Sequence, residues 1–574
     1  MDAAGNAGSQ APPLSRPIPE RAPWDVVELK QAVRGLGRWV YTNNPFYVLS
    51  AILFFWGLWG SCYVKDYWAF KTVTFMVGLA AYTLLLAATT LLVVRWGKVW
   101  EDGRSLLVLI VLMLLGMSVS FDEALTGHFR VGALCAATGL AFAGIVSEVV
   151  RLGLGLRLGS CLRVPYYLIL GLFFGYPVVL GAMDQQSPAV PWMVFAFPAT
   201  AGLVALSLIP AIRRGPAYVR DNGSPWPWPW FPWTLFVLLG LAVGPRTYYL
   251  SVSMHQVGGV AAIFAPYFLV PLVLTTGVLL LEIGLVARSA SVVRWTLALP
   301  LVALAMTSVP CRNEDVPLAF LAEFREVLQG TPLYFTLALA AAFYLYAAVR
   351  RAALALDALT ATLVLLAFVG RDTYGLETLS RTQPVPLLVA AALQAVLAYR
   401  QRTSGRCFTT ACVLIAAATA AWRGTWFTAW DGFLTRHLLL AAMLLAGAGL
   451  RDRFARVLEH LAAIGILVYG VTAALGFWWC VGRVPDAIMT AYPALAIVAA
   501  VVCGWLLRNR YYYAVAAITG ACWALGASGR AYLGLQRTLR GLPYLVAALA
   551  VFVFALLVSL FKARARRPLH DHRP

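Results

Sequence analysis

The chain reads as an all-α, polytopic integral membrane helix bundle with about eighteen transmembrane helices and both termini cytoplasmic. Composition points there first: 61% of its 574 residues are hydrophobic and 12% are charged. Soluble domains carry about twice that charged fraction. Apolar runs of about twenty residues, the length that crosses a hydrocarbon core, follow one another with short connections. Those connections alternate between arginine-rich and acidic or neutral from one end of the chain to the other.

Taken in order, residues 1–23 hold Pro12, Pro13, Pro17, Pro19 and Pro23 among small polar residues and are expected to form a disordered cytoplasmic tail. They contain no apolar core of a cleavable signal, so the first span is expected to act as its own insertion signal. In 24–44, Val26, Leu29, Val33, Leu36 and Val40 recur at spacings of three and four, with charged and polar residues between them. That pattern predicts an amphipathic helix lying in the cytoplasmic interface. The transmembrane bundle is expected over 45–562, followed by a basic cytoplasmic tail at 563–574.

Within the bundle, the apolar runs are 46–64, 72–94, 105–121, 131–149, 164–183, 191–211, 230–244, 257–286, 295–311, 331–349, 352–370, 384–399, 407–422, 437–450, 457–477, 487–507, 511–527 and 543–561. With this assignment the cytoplasmic side holds 31 of the 45 basic residues and 13 of the 25 acidic ones. Nearly all of the formal charge of +20 then lies on one side, as the positive-inside rule requires. The weakest run is 230–244, but without it every later arginine cluster would fall outside. An outer surface helix is expected over 316–329, where Phe320, Leu321, Phe324, Val327 and Leu328 share a face, Asp315 caps and Pro317 lies in the first turn.

The same distribution excludes a nucleic-acid binder, because the basic residues are shared among many loops and form no single stripe. Nine cysteines show no metal-like spacing; six are expected to pack as small apolar residues, as are Cys62, Cys311 and Cys480 near outer helix ends, where a disulfide is the alternative. No cofactor is implied. Forty of the basic residues are arginine, which with the alanine content suggests a GC-rich bacterial source and the cytoplasmic (inner) membrane.

Few residues suggest chemistry. Glu148, Glu282, Asp357 and Glu459 fall near cytoplasmic helix ends, beside Arg151, Arg288, Arg351 and Arg456 respectively, and are expected to pair there. The run 257–286 carries Pro266 and Pro271, which would break a helix at membrane depth and free carbonyls, as in the discontinuous helices of transporters. Arg246, Arg371, Arg423, Arg436 and Arg530 lie at outer helix ends against the topological bias. Their planar forks suit phosphate or carboxylate, so together with Pro266 and Pro271 they form the candidate substrate site. The alternative for these arginines is belt anchoring with Asp372, Asp431 or Asp486 as partners.

Trp226, Trp228, Trp230 and Trp233 alternate with prolines and predict a stiff extended strand whose rings settle among lipid headgroups. The segment from Trp422 to Asp431 resembles, over about ten residues, the tryptophan-rich outer segment of cytochrome c haem-handling membrane proteins. Its tryptophan spacing differs and the following Pro and acidic residue are missing, so neither family nor haem is assigned. Phe121-Asp122 with Leu125, Thr126 and His128 is similar to Trp430-Asp431 with Leu434, Thr435 and His437, which an ancient duplication would explain. Three functions fit: a transporter or flippase-like protein for a small or lipid-linked anionic substrate such as a polyprenyl-phosphate lipid, a non-catalytic membrane scaffold, or a lipid-linked glycosyltransferase on the outer face. The first is preferred for the helix number, the broken span at 257–286 and the lack of a soluble domain.

Overall fold

A computed structural model describes residues 46–63, 68–184, 187–220, 222–226, 230–254, 263–308, 315–369, 382–421, 431–450, 452–477, 491–538 and 542–565. The described chain is helical throughout, without a β-sheet. It divides into two compact units: unit 1 comprises 1–289 and 311–320, and unit 2 comprises 290–310 and 321–574. The expected tails, 1–23 and 563–574, and the interfacial helix over 24–44 lie outside the described residues, apart from 563–565 at the end of the last helix.

Unit 1 contains α1 (Phe46–Tyr63), α2 (Trp68–Arg95), α3 (Trp100–Ser120), α4 (Asp122–Gly127), α5 (Phe129–Gly153), α6 (Ser160–Gly181), α7 (Ala189–Ala205), α8 (Ile209–Arg214), α9 (Ala217–Arg220), α10 (Trp230–Ser253) and α11 (Val270–Val286). After α12 (Ala290–Leu297) and α13 (Leu299–Ser308) comes α14 (Asp315–Leu328), where an outer helix was expected. Phe320 and Phe324 are buried on it, whereas Leu318, Val327 and Leu328 are exposed. Unit 2 continues with α15 (Pro332–Val349), α16 (Ala355–Phe368), α17 (Pro384–Gln401), α18 (Ser404–Ala421), α19 (Asp431–Gly449), α20 (Arg453–Leu475), α21 (Tyr492–Leu507), α22 (Arg510–Thr538) and α23 (Leu542–Ala565).

Helix overlaps every predicted apolar run. Among the described residues, eleven helices are long and apolar enough to cross a membrane, and five further apolar helices are shorter. The side chains turned outward agree with a lipid solvent: Trp56, Leu85, Leu134, Ile145, Leu203, Leu241 and Leu445 are each more than half exposed. A soluble protein would not show so many exposed large apolar side chains on its helices. The chain is therefore built as a membrane protein.

Small residues set the closest helix contacts, as expected where lipid removes the hydrophobic drive between helices. In unit 2, Ala367 of α16, Ala390 and Ala391 of α17, and Ala417 and Ala420 of α18 are buried in one cluster with Leu387 and Val413. A second cluster joins Ala463 and Ile466 of α20, Ala500 of α21, and Tyr512, Val515 and Ala516 of α22.

Two predicted features change. Pro266 begins a short 3-10 turn and Pro271 stands in the first turn of α11, where no internal hydrogen bond exists to be broken. They start this helix and do not interrupt it. Trp226 is buried, with its indole N–H donating to the Trp100 carbonyl at 2.9 Å and its ring edge-on to that of Trp100. It is thus a packing residue of unit 1, not a headgroup anchor; Trp228 lies outside the described residues.

Candidate functional site

Of the predicted arginines, Arg246 has the most definite surroundings. Because α10 runs on to Ser253, Arg246 lies inside this helix and not beyond its end. It is almost fully buried, as is Asp122 at the start of α4. One guanidinium nitrogen, Nη2, donates to Asp122 Oδ1 at 3.0 Å and to the Ser118 carbonyl at 2.9 Å, and Nη1 donates to Asp122 Oδ2. Its partner is Asp122; Asp372 and Asp486 lie outside the described residues. Arg436, half-buried on α19, and Arg530, exposed on α22, belong to unit 2. Arg371 and Arg423 lie outside the described residues.

The other end of unit 1 gathers the start of α3, the end of α5, the starts of α6 and α10, and α8 with the end of α11. Two of its carboxylates, Glu148 and Glu282, are held by arginines, Glu282 by one distant in sequence. Glu282, fully buried on α11, receives Arg213 from Nε and Nη2 at 3.0 Å each. Arg213 therefore takes the place predicted for Arg288. In unit 2, Asp357 is likewise held by Arg406 and not by Arg351, with Nη1 at 2.6 Å and Nη2 at 3.1 Å. Arg406 also reaches Gln394, whose amide donates to Thr360.

Glu148 does meet Arg151 as its spacing predicted, and its surroundings form the most site-like feature of unit 1. Arg151 donates to Glu148 Oε2 from Nε at 2.8 Å and from Nη2 at 2.6 Å. The exposed Arg163, from the first turn of α6, reaches Oε1 at 2.8 Å, and the Tyr167 hydroxyl donates to the same oxygen at 2.6 Å. Two guanidinium groups thus face one carboxylate, leaving one excess positive charge.

That cluster stands at the mouth of a cavity of about 60 Å³. Leu107, Ile110 and Val111 of α3 and Phe231 and Leu235 of α10 line its apolar depth, while Arg151, Arg163, Tyr166 and Tyr167 border it. Ser147 and Tyr166 share a hydroxyl–hydroxyl hydrogen bond of 2.9 Å along one wall. Leu156 and Leu158, which also line it, lie on a loop that touches a second one. The Arg157 N–H donates to the Asn222 carbonyl at 2.7 Å, and Gly223 lies so close that a Cβ there would meet the Gly155 carbonyl at 2.2 Å. Only glycine fits Gly223, which also has φ of 80°.

Unit 2 also holds a polar cluster around His437. His437 Nε2 lies 2.6 Å from the Tyr492 hydroxyl and Nδ1 2.6 Å from the Phe433 carbonyl, so both ring nitrogens have partners. Among the described residues no three His, Cys, Asp or Glu side chains are grouped to hold a metal ion. Sequence reasoning found Arg151 and Glu148 but missed Arg163, Tyr166 and Tyr167. Their only signal was Arg163-Val-Pro-Tyr166-Tyr167 at a helix start next to a basic loop.

No protein-family model matches the chain, and neither a curated protein nor a solved structure matches it.

Proposed function

We propose that this protein is a transporter or flippase-like carrier for a small or lipid-linked anionic substrate, acting in a bacterial cytoplasmic membrane. Its arginine-rich helix ends would face the cytoplasm. One observation carries the reading: an apolar slot opens under two guanidinium groups that share a single carboxylate. A phosphate or carboxylate head would take the excess charge at Arg163, and the first carbons of an attached chain would enter between Leu107, Ile110 and Leu235. Holding one water takes roughly 10–15 Å³ by such a measure, so the slot accommodates a few atoms of a chain and not a whole lipid. The rest of the chain would stay among the surrounding lipids, as handing a substrate between leaflet and protein requires. This places the anion site at the opposite end of unit 1 from Arg246, whose Nη groups are engaged by Asp122 and Ser118.

The test is retention and flux of a polyprenyl phosphate by the purified protein in proteoliposomes. Arg163→Gln leaves the Arg151–Glu148 pair in place and removes the excess charge. It is expected to lower retention about tenfold, the equivalent of one charge-assisted hydrogen bond. Ile110→Trp, which fills the slot, should lower it for tailed phosphates and not for inorganic phosphate. Retention unchanged by either substitution would contradict the proposal.

A further inference from the structure

A second cavity, of about 290 Å³, lies at the same end of unit 1 and shares no residue with the slot. It is lined by Ala211 and Ile212 of α8, Trp233 and Val237 of α10, and Ile283 and Val286 of α11. No side chain on its wall is charged, and Val237 is 60% exposed, so the cavity opens sideways onto the lipid-facing surface. Helix α7 passes through a 3-10 turn at Leu206–Leu208, α8 follows with Pro210 in its first turn, and the chain then reverses at Gly215 and Pro216.

Arginines stand beside this apolar wall. Arg213 and Arg214 directly follow Ile212, and Arg288 directly follows Ala287, which also lines the cavity. Arg213 is bidentate to Glu282, but its side chain is still 47% exposed. The Arg214 guanidinium lies 4.8 Å from the centre of the Tyr218 ring. Arg288 ends α11 with φ of 51°, a left-handed position usually given to glycine, and its side chain is exposed. Of these three arginines, Arg213 is paired with Glu282.

We infer that this cavity is a structural binding site for one anionic membrane phospholipid, with an acyl chain in the apolar groove and the phosphate among Arg213, Arg214 and Arg288. Charge complementarity selects the occupant. A free fatty chain or a neutral lipid would fill the groove but leave the rim charge unanswered, and a water-soluble phosphate would leave an apolar cavity open to the bilayer. The groove opens toward lipid at the membrane level of a headgroup, so the occupant arrives by lateral diffusion.

The protein is reconstituted in nanodiscs of phosphatidylcholine, alone or with phosphatidylglycerol, and released for native mass spectrometry. Phosphatidylglycerol is expected to remain bound to the parent protein in preference to phosphatidylcholine. Ala287→Phe, which fills the groove from a solvent-exposed helix end, should abolish that retention, and Arg214→Gln with Arg288→Gln should lower it about tenfold or more. Arg213 is left unchanged because Glu282 depends on it. Equal retention of both lipids, or phosphatidylglycerol retention unaffected by Ala287→Phe, would overturn the inference. Arg163→Gln provides the separation from the slot: it should leave this bound lipid in place whatever it does to polyprenyl phosphate.

Discussion

Burial decides what Arg246 does. In water, an arginine beside a helix end is an open fork for any anion. Between α3, α4 and α10 its Nη groups are engaged by Asp122 and the Ser118 carbonyl. Taking both charges out of water costs several kcal/mol per ion, and mutual attraction offsets that only when the pair is intact. Asp122→Asn is therefore expected to lower stability by about 3–5 kcal/mol, because a buried guanidinium is left without its counter-charge. Asp122→Leu combined with Arg246→Met should recover most of the loss in thermal unfolding of the purified protein. Equal damage from the single and double variants would show that the site needs the charges for more than each other.

A second residue makes a pH-dependent tie. Asp452 precedes α20, outside the spanning segments, and its carboxylate accepts from the Ser404 N–H at 2.9 Å, the Ser404 hydroxyl, and the Ala455 N–H at 2.7 Å. It joins the starts of α18 and α20. The Ser404 hydroxyl first, and then the Ser404 N–H, hold this carboxyl below the usual range. A depressed folded-state value means that the stabilisation is complete above the unfolded value of about 3.9 and is lost as pH falls through the lower folded value. The stability difference between the parent and Asp452→Asn should accordingly be constant near neutrality and shrink only in acid below about pH 4. A difference that grew on acidification would contradict this tie.

At the scale of helices, the way they end is the most systematic feature. Lys98, Arg288, Arg351, Arg402 and Arg508 all adopt positive φ near the ends of α2, α11, α15, α17 and α21. Around several of them the chain closes as a glycine-terminated helix would. Ser289 N–H donates to the Gly284 carbonyl, Ala352 to Ala347, and Asn509 to Gly504. Gly476, after α20, closes in the same way at a helix end the sequence places outside. A left-handed arginine costs roughly 1–2 kcal/mol against glycine. Its charge offsets part of that at the negative end of the helix dipole, and about 1 kcal/mol more beside anionic headgroups. Arg402→Gly should thus match or exceed the parent in melting temperature in neutral detergent, yet fall below it in phosphatidylglycerol-containing bilayers. The same loss in both media would remove the lipid contribution.

These ends also show what the sequence made legible. Positions of helices follow from runs of apolar residues, which is why helix overlaps every predicted run, including the weak one at 230–244. What one strand of letters does not carry is which helix is a neighbour of which. Glu282 finds Arg213 across 69 positions, and Arg246 finds Asp122 across 124. Proline misled for a related reason: Pro266 and Pro271 break a helix only if it has already begun, and α11 begins at them. Trp226 misled because aromatic composition near a membrane edge suggests the interface, while a single long-range hydrogen bond to Trp100 draws the ring inward.

For the whole molecule, the division into two units gives the faint repeat a setting. Asp122 opens α4 in unit 1 and Asp431 opens α19 in unit 2. The backbones then diverge. In unit 1 the helix stops before His128 and a new one starts at Phe129, whereas in unit 2 it runs on through His437 to Gly449. A duplication would have to have lost or gained that break. The slot, the phospholipid groove and the arginine-terminated helices all rest on one premise, that lipid surrounds these helices and their basic ends share a leaflet facing the cytoplasm.

Thiol labelling of single cysteines in intact cells, in a background freed of native cysteines, tests that premise most directly. Glu123→Cys, at the exposed start of α4, should react with an impermeant reagent from outside. Arg157→Cys and Arg402→Cys, both exposed at the basic helix ends, should react only after the membrane is opened. Labelling of Arg157→Cys or Arg402→Cys in sealed cells, with Glu123→Cys protected, would contradict the account.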